Sequence, residues 1–462
     1  MTISAKTRFV FHSVGQGLFY TGQLKFNNEQ QFNFVYDCGG KKIIKELKSY
    51  RRDMESEVID MLVISHFHED HINGLYSLLK DFNVKRVFIP YYSFVERIYL
   101  AITNDNIPKV QWYYDFIENP IRFLFSKGVE KVVVISGSEG YDENNPNDEN
   151  IPAPPEYFKN IEVIEQLQEG NKTILEKENL TDEEKSRVSV KMHNGHIALN
   201  NLWLFKFYNN YSSISDKNLI DKLKCCIKKY IEKNTLRDVF NDKESLNQIK
   251  QCYENFTNQT KLENLNNTSI VLMHTPINLK SFNFYFINQW GSCLPVLYGI
   301  SNFDVFEDII YYWHKYLHCL EDFYFRFGDR NREWLDKRIR RFENLFYNLK
   351  NIKNKNQRFS FFAQALTGDI DLNFNYNLFK NHFSFFKDKL ITLQLPHHGS
   401  PYNWNENFIN DFLVFYTIAS AGINNKHGHP SKYLFDSLSM SCIKPIWVNE
   451  SKWQTIIGEF RW

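Results

Sequence analysis

An apolar run that stops at a cluster of histidines and carboxylates is the feature that most restricts what this chain can fold into. In the stretch DMLVISHFHEDHINGL the apolar residues give way to His66, His68, Asp70 and His71. Side chains two residues apart in an extended chain point the same way, so His66 and His68 can reach one metal ion. The turn into the following helix directs Asp70 and His71 toward a second point nearby. The stretch therefore predicts a two-metal layout at a strand end.

Segments around this motif predict a layered α/β fold. Strand-like pieces such as RFVFHSV, QFNFVYDCGG and VKRVFIPYY alternate with turns and helical stretches, and similar pieces recur toward the end of the chain. This alternation favours an α/β domain over a helical bundle. We predict a single domain over residues 1–462 with two mainly helical insertions. The first covers approximately 139–265 and includes a core-like strand near 202–208, and the second covers 303–356.

Composition restricts the class of protein further. The 462 residues are 43% apolar, which is enough for a large core. Lys plus Arg (55) nearly balances Asp plus Glu (54), so any basic surface for a nucleic acid must be local. No apolar run is long enough for a membrane helix or a signal peptide, which predicts a cytoplasmic protein with no membrane partner. Seven scattered cysteines without a CxxC pair predict reduced thiols.

Other strand ends carry the remaining metal-capable residues, because one cluster cannot hold two ions alone. Asp369 follows an apolar strand and a glycine in ALTGDIDL. A further strand, LITLQL, ends at His397 and His398, and LVFYTIAS leads to His427 and His429. We predict that these residues complete the site begun by the first cluster.

Seven short motifs occur in a fixed order along the chain: SVGQG, VYDCGG, HxHxDH, NNTSIVL, LTGD, LPHHGS and NNKHGHP. In these motifs the chain resembles metallo-β-lactamase fold hydrolases of the ComEC type, the soluble domain of the competence DNA-uptake channel and its free-standing relatives. The motifs cover the core and neither insertion. The resemblance implies an αββα sandwich and two divalent metal ions, Zn²⁺ or Mn²⁺.

Carried over residue by residue, the resemblance implies a ligand set. His66 and His68 would bind the first ion, Asp70 and His71 the second, and Asp369 both. Of the two histidines in LPHHGS, His398 would complete the second ion and His397 would stand beside it as a proton donor, although the reverse assignment stays open.

Further residues receive roles from the same resemblance. His429 would be a ligand or would meet the leaving oxygen of the substrate, so we count it with Asp70 and His397 as a catalytic candidate. Asp37 would support the metal-bearing loops.

One departure from the wider fold concerns the first ion. Many relatives have a histidine just before the hairpin that leads to the bridging aspartate, and here NNTS around Asn266 takes that place as structural support. The first ion would then have more water ligands, which suits Mn²⁺ as well as Zn²⁺. His274 is a candidate substitute, and the alternative is a hydrogen-bonded histidine at a strand end.

The predicted reaction is hydrolysis by a hydroxide held between the two ions. The resemblance favours phosphodiester cleavage in DNA, so the leading hypothesis is a nuclease or phosphodiesterase. Arg338, Arg340 and Arg341 are interleaved with aromatic residues, a pattern typical of single-strand binding. The alternative is the solvated face of an amphipathic helix.

Two other functions stay open at this point. A small-molecule phosphodiesterase or esterase would use the same ions with the insertions as a lid over a narrow pocket. Alternatively, the insertions would dock a protein partner, and the chain would be the partner-activated effector of a larger assembly, for example in antiviral defence.

Overall fold

The computed structural model describes the chain in ten ranges: 2–103, 110–137, 152–176, 178–210, 217–231, 236–257, 268–288, 293–298, 362–441 and 443–462. The second predicted insertion, 303–356, lies outside these ranges, and with it Arg338, Arg340 and Arg341. Asn266 lies outside them as well.

Strands are frequent in the described ranges because their segments are rich in β-branched and aromatic residues. In chain order they are β1 (Ser4–Phe11), β2 (Phe19–Phe26), β3 (Gln31–Cys38), β4 (Val58–Ile59), β5 (Met61–Val63), β6 (Asn83–Val84), β7 (Arg86–Pro90), β8 (Lys131–Ser136), β9 (Val163–Glu165), β10 (Val188–Met192), β11 (Ile197–Leu199), β12 (Trp203–Tyr208), β13 (Val271–Pro276), β14 (Ser281–Asn288), β15 (Cys293–Tyr298), β16 (Ala363–Leu366), β17 (Leu390–Gln394), β18 (Val414–Ser420), β19 (Lys444–Val448) and β20 (Gln454–Arg461).

Side chains cap the N-terminal amides of some of the described helices. Asn119 accepts from the amide of Arg122, and Thr181 with Glu184 forms a capping box. None of the described helices is long and apolar enough to cross a membrane. In chain order they are α1 (Ile43–Asp53), α2 (Glu69–Ile72), α3 (Leu75–Asp81), α4 (Phe94–Thr103), α5 (Gln111–Glu118), α6 (Pro120–Ser126), α7 (Thr173–Glu176), α8 (Asp182–Arg187), α9 (Lys217–Ile231), α10 (Leu236–Asn241), α11 (Lys243–Thr257), α12 (Tyr376–His382), α13 (Phe408–Asp411) and α14 (Lys432–Met440).

Two large sheets organise the fold. The first has the order β10-β8-β7-β5-β3-β2-β1-β20-β14-β15, and the second has the order β19-β18-β17-β16-β13-β12-β11-β9. Neighbouring strands are parallel from β3 through β5, β7 and β8 to β10, and again from β16 to β19. Carboxyl ends of parallel strands share one edge of a sheet, so the residues that follow these strands gather there.

Apolar side chains fill three layers. Phe34 and Trp203 lie in the core between the sheets. The outer face of the first sheet packs on helices that include α1, α3 and α4, and the outer face of the second packs on α12, α13 and α14. The predicted mixed α/β class is confirmed, and the layers are consistent with the predicted sandwich.

Residues 139–265, predicted as the first insertion, contribute strands as well as helices. Their described part holds α7 to α11, and the core-like strand expected near 202–208 corresponds to β12. Strand β10 extends the first sheet beside β8, whereas β9, β11 and β12 belong to the second sheet. This region is therefore joined to both sheets through backbone hydrogen bonds.

Two helices of the same region are joined covalently. A disulfide links Cys226 in α9 to Cys252 in α11, although 26 positions separate them in the chain. The prediction that the cysteines are reduced thiols is wrong for this pair, because the helices fold against each other and bring the two side chains together. Cys38 and Cys225 are free.

Candidate metal centre

The carboxyl end of β3 supplies the support of the site. Asp37 is fully buried and has a φ of 57°, a left-handed conformation that is uncommon outside glycine. Its carboxylate accepts hydrogen bonds from the Ser65 amide (2.6 Å), the Ser65 hydroxyl (2.7 Å) and Nδ1 of His71 (2.7 Å). Asp37 thus holds the loop after β5 through these hydrogen bonds, and its support of a metal site stays a prediction.

The loop after β5 places the first histidines. His66 is buried and its Nδ1 lies 2.9 Å from the Ser65 hydroxyl. Because that hydroxyl donates its hydrogen to Asp37, His66 is the donor to it, and its Nε2 keeps the lone pair. Helix α2 begins at Glu69 and turns His71 back toward His66, with ring centroids 4.1 Å apart.

Glycines allow the backbone of this loop to pass close to its neighbours. A Cβ on Gly39 would lie 2.1 Å from the carbonyl oxygen of Asp70, and a Cβ on Gly17 would lie 2.4 Å from the same atom. The Leu18 amide donates to that carbonyl at 3.3 Å. Glycine is therefore required for steric reasons at these two positions of the SVGQG and VYDCGG motifs, since a side chain at either would displace α2.

A first cluster joins His66, His71 and Asp369. The Nε2 atoms of the two histidines lie 3.5 Å and 3.2 Å from the Asp369 carboxylate oxygens. All three residues are buried, and both Nε2 atoms and Asp369 Oδ1 have no hydrogen-bond partner. Buried polar atoms are almost always paired, so three converging atoms without partners indicate a missing ligand.

A second cluster joins Asp70, His71 and His398. Nε2 of His398 lies 3.0 Å from Asp70 Oδ2, and its Nδ1 donates to the carbonyl oxygen of Ser420 at 2.7 Å. His71 Nε2 lies 3.9 Å from Asp70 Oδ1. His71 belongs to both clusters, so the two candidate positions are adjacent.

The donor set fits divalent ions. In each of His66, His71 and His398 the Nδ1 atom is bound to a protein oxygen, which directs Nε2 toward a carboxylate. This is the arrangement that orients imidazole ligands toward a metal. Two carboxylates and three imidazole nitrogens suit Zn²⁺ and also Mn²⁺.

Charges within the site keep the carboxylates ionised. Burial acts against ionisation of Asp369, yet His71 and the neighbouring histidines hold its pKa well below the ordinary value. Burial opposes the charge on Asp70 too, and His71 with His398 holds the pKa of that carboxyl below its usual range. For His66, burial lowers the pKa well below its ordinary value. The same carboxylates raise the pKa values of His71 and His398, so this pocket of ionised oxygens stabilises positive charge, as a cation site must.

His397 and His429 lie on the open side of the clusters. His397 and His398 both have positive φ, and the Nδ1 of His397 donates to Asn403 at 3.0 Å, with its Nε2 3.7 Å from Asp369. The His429 ring is 5.6 Å from the His397 ring. Neither histidine belongs to a described three-residue cluster. Their placement agrees with the assignment of His398, rather than His397, to the ion, and that assignment stays a prediction.

His68 does not join either three-residue cluster of the described residues. It precedes α2 and is partly exposed, and its ring centroid lies 4.8 Å from that of His66. Its predicted role at the first ion stays a prediction.

Several other histidines form hydrogen bonds within the protein interior. Both ring nitrogens of His274 have partners, because the Trp203 indole donates to Nδ1 (3.3 Å) and the Tyr20 hydroxyl lies 3.0 Å from Nε2. His274 is therefore the hydrogen-bonded histidine of the alternative interpretation. His12 bonds Thr21, and His382 bonds the carbonyl oxygen of Phe207.

Ser269 is a residue of the site region that sequence reasoning passed over. It is fully buried, and its hydroxyl has no hydrogen-bond partner. The next residue, Ile270, donates its amide to the Ser65 carbonyl and accepts from the Tyr36 hydroxyl. The NNTS motif, which contains Ser269, was the available signal.

Comparison with known proteins agrees with this geometry. The family model described as Metallo-beta-lactamase superfamily matches residues 28–97, a segment that contains Asp37 and the histidine cluster of β5 and α2. No curated protein matches the chain. Members of that superfamily are in general metal-dependent hydrolases, usually with zinc. The match supports metal-dependent hydrolysis. It gives no evidence for the ComEC type, which stays a prediction.

Proposed function

We propose that this chain is a dinuclear metal-dependent phosphodiesterase that cleaves nucleic acid, with DNA as the preferred substrate. The observation that carries the proposal is the convergence of His66, His71 and His398 with Asp70 and Asp369 on two adjacent positions. The Nε2 atoms of His66 and His71 and Oδ1 of Asp369 have no hydrogen-bond partner there, which supports a role in binding cations.

The protein's own part is to hold these donors in place. Asp37 and Ser65 fix the rings of His71 and His66, and the Ser420 carbonyl fixes His398. Two divalent ions bound there would supply Lewis acidity to the attacking water and to the oxygens of the group under attack. Such rigid placement is how a metal centre gains its catalytic geometry.

Proton transfer to the leaving oxygen falls to the residues on the open side. His397 is about one-third exposed, and His429 is half-buried beside it. A positioned imidazole contributes about 10²- to 10⁴-fold to such a step. The open side is therefore where the leaving group of the substrate would lie.

The choice of a phosphodiester rests on the motif order and on local charge. The loops 396–405 and 421–433, which carry these histidines, contain no Asp or Glu. These loops carry no side-chain anion of their own, although Glu450 accepts from the Ile423 amide beside them and the chain as a whole is nearly neutral. The ComEC-type motifs direct the proposal to DNA.

The test combines elemental analysis with cleavage assays on linear and circular, single- and double-stranded DNA and RNA in Zn²⁺ and Mn²⁺. We expect about two ions per chain and cleavage that Asp70→Ala and Asp369→Ala abolish. Asp182→Ala is the matched control, because that carboxylate is fully exposed on α8. A metal-loaded protein that cuts none of these nucleic acids would overturn the nuclease proposal.

A further inference from the structure

Two tyrosine rings project into solvent from the loops that carry the site histidines. Tyr402 is 86% exposed and Tyr433 is 72% exposed, the two highest values among the large apolar and aromatic side chains that the structure describes. Tyr402 follows His397 and His398 by a few residues, and Tyr433 follows His429. The most exposed aromatic surface of the described chain thus lies beside the candidate metal centre.

Backbone contacts keep the two loops together. The Ser431 amide donates to the Gly399 carbonyl at 3.0 Å, and a Cβ on Gly399 would lie 2.8 Å from Pro430. Tyr402 is three residues from Gly399, so their Cα atoms are at most about 11 Å apart. Tyr433 is two residues from Ser431, a reach of about 7 Å. The two tyrosines therefore lie near the contact between the loops that carry His397 and His429.

Neither tyrosine ring is buried in the described core. The backbone of Tyr402 is fixed, since its carbonyl accepts from Asn373 at 2.8 Å and Asn403 next to it bonds His397. Tyr433 is the second residue of α14, whose buried side chains are Leu434 and Leu438. Rigid backbones thus hold exposed aromatic faces at fixed positions.

Charge on this rim favours an anionic ligand. The loops 396–405 and 421–433 hold no acidic residue of their own, and the Glu450 carboxylate contacts the second loop at the Ile423 amide. Beside Tyr433 the directly preceding residue is the exposed Lys432. Aromatic faces with adjacent positive charge are what bind single-stranded nucleic acid, because unpaired bases stack on the rings and phosphates approach the cation. Bases within a duplex already stack on each other and offer no free face.

We propose that Tyr402 and Tyr433 form a stacking site for unpaired bases on either side of the metal centre, so that the preferred substrate is single-stranded. This inference rests on the proposed function, because it assumes that a nucleic acid strand runs past the metal centre. It assigns a specificity to the rim and no part of the chemistry.

Binding of a fluorescein-labelled phosphorothioate oligothymidine to the metal-loaded chain tests the proposal by fluorescence anisotropy. We expect Tyr402→Ala and Tyr433→Ala each to weaken binding about tenfold, and the double variant about 100-fold. Tyr402→Phe and Tyr433→Phe, which keep the ring, should bind like the unaltered chain. Binding of the same sequence as a duplex should be weaker and insensitive to the changes.

Tyr157→Ala is the matched control. This tyrosine is 67% exposed and lies next to Phe158, whose carbonyl accepts from Asn28 near the β2–β3 turn, at the opposite end of β3 from Asp37. Its removal should leave binding unchanged. Equal weakening by Tyr157→Ala, or no weakening by the rim variants, would overturn the proposal.

Cleavage and metal content separate this inference from the proposed function. If the loaded chain cuts DNA and both rim variants bind and cut normally, the stacking site is wrong and the nuclease stands. If the rim variants lose single-strand binding and no nucleic acid is cut, the stacking site stands and the nuclease is wrong. Equal losses on single strand and duplex would overturn the single-strand preference.

Discussion

His71 and His274 are both fully buried histidines, and their ring nitrogens meet different surroundings. His71 donates from Nδ1 to Asp37, and its Nε2 faces Asp369 without a hydrogen bond. His274 bonds Trp203 and Tyr20 through its two nitrogens. Burial alone lowers the pKa of His274 to about 3, whereas for His71 the carboxylates of Asp369 and Asp37 outweigh burial and raise the pKa.

This difference indicates how a buried histidine that binds a metal can be recognised. One nitrogen must be held by a protein acceptor, and the other must be left open toward a carboxylate. A histidine whose two nitrogens are both bonded to neutral partners is part of the hydrogen-bonded interior. The substitutions below test whether this distinction separates the two residues in solution.

The largest effect is expected from His71→Ala, which removes the residue that both clusters share. Metal at both positions should fall to background, and hydrolysis should be lost, while the far-ultraviolet circular dichroism spectrum is retained. Elemental analysis after gel filtration measures the first outcome. His427→Ala, an exposed histidine on the neighbouring loop, is the control, and a His71→Ala protein with full metal content would contradict the distinction.

The second-largest effect is expected at His429, a half-buried histidine that belongs neither to the metal clusters nor to the hydrogen-bonded interior. We expect His429→Ala to keep its metal and to lose about 10²- to 10⁴-fold in kcat, because a proton donor acts on the leaving group and not on the ions. Kinetics at saturating substrate, together with metal content, measure this. A parallel loss of metal would instead make His429 a ligand.

A smaller effect is expected from Asp37→Asn. The amide cannot accept from His71, Ser65 N and Ser65 Oγ as the carboxylate does, so His71 loses its orientation. Metal affinity should fall about 10- to 100-fold in competition with a chelating dye. Asp60→Asn is the matched control, because Asp60 accepts from the amide of Asn33 and pairs with Lys85 away from the clusters.

The smallest effect on function is expected from His274→Leu. Metal content should not change, and the free energy of unfolding should fall by about 2 kcal/mol at neutral pH, because the Trp203 indole loses its acceptor. The folded pKa of His274, about 3, lies below the ordinary 6.5. Between these values the unfolded chain binds more protons, so the unaltered protein loses stability as the pH falls and the variant does not.

The two proteins should therefore become more alike in acid. At about pH 5 the difference in unfolding free energy should shrink by about 2 kcal/mol. Urea unfolding at neutral and acid pH measures this, with the other titrating groups common to both proteins. A gap that widens in acid would show that His274 is charged in the folded state.

Local patterns predicted the α/β class, because strands such as β7 and β8 have nearly continuous apolar sequences. They also predicted which strand ends supply the clustered groups, since His66, Asp369 and His398 each follow an apolar run. The pattern did not predict β14, β15 and β20. Their places in the first sheet depend on pairings with distant strands, and a local sequence does not contain such partners.

Within the site, the spacing of His66 and His68 suggested one shared ion by the rule for extended chains. The structure begins α2 at Glu69, and this turn brings His71 to the His66 cluster, whereas the role of His68 at the first ion stays a prediction. The disulfide between Cys226 and Cys252 was missed for a related reason, since only the packing of two helices brings those sulfurs together. Tertiary contacts decided both outcomes.

Strand β20 lies inside the first sheet, between β1 and β14, and the Thr7 hydroxyl bonds a carbonyl 451 residues away at Gly458. During synthesis, β1 therefore leaves the ribosome long before its partner strand β20 has been made. At about 5–20 residues per second, that interval lasts on the order of half a minute to a minute and a half. During that time the backbone groups along one edge of β1 have no partner strand, and other chains can pair with them. We expect the nascent polypeptide to depend on chaperones that cover strand edges until the ribosome has delivered the partner strand.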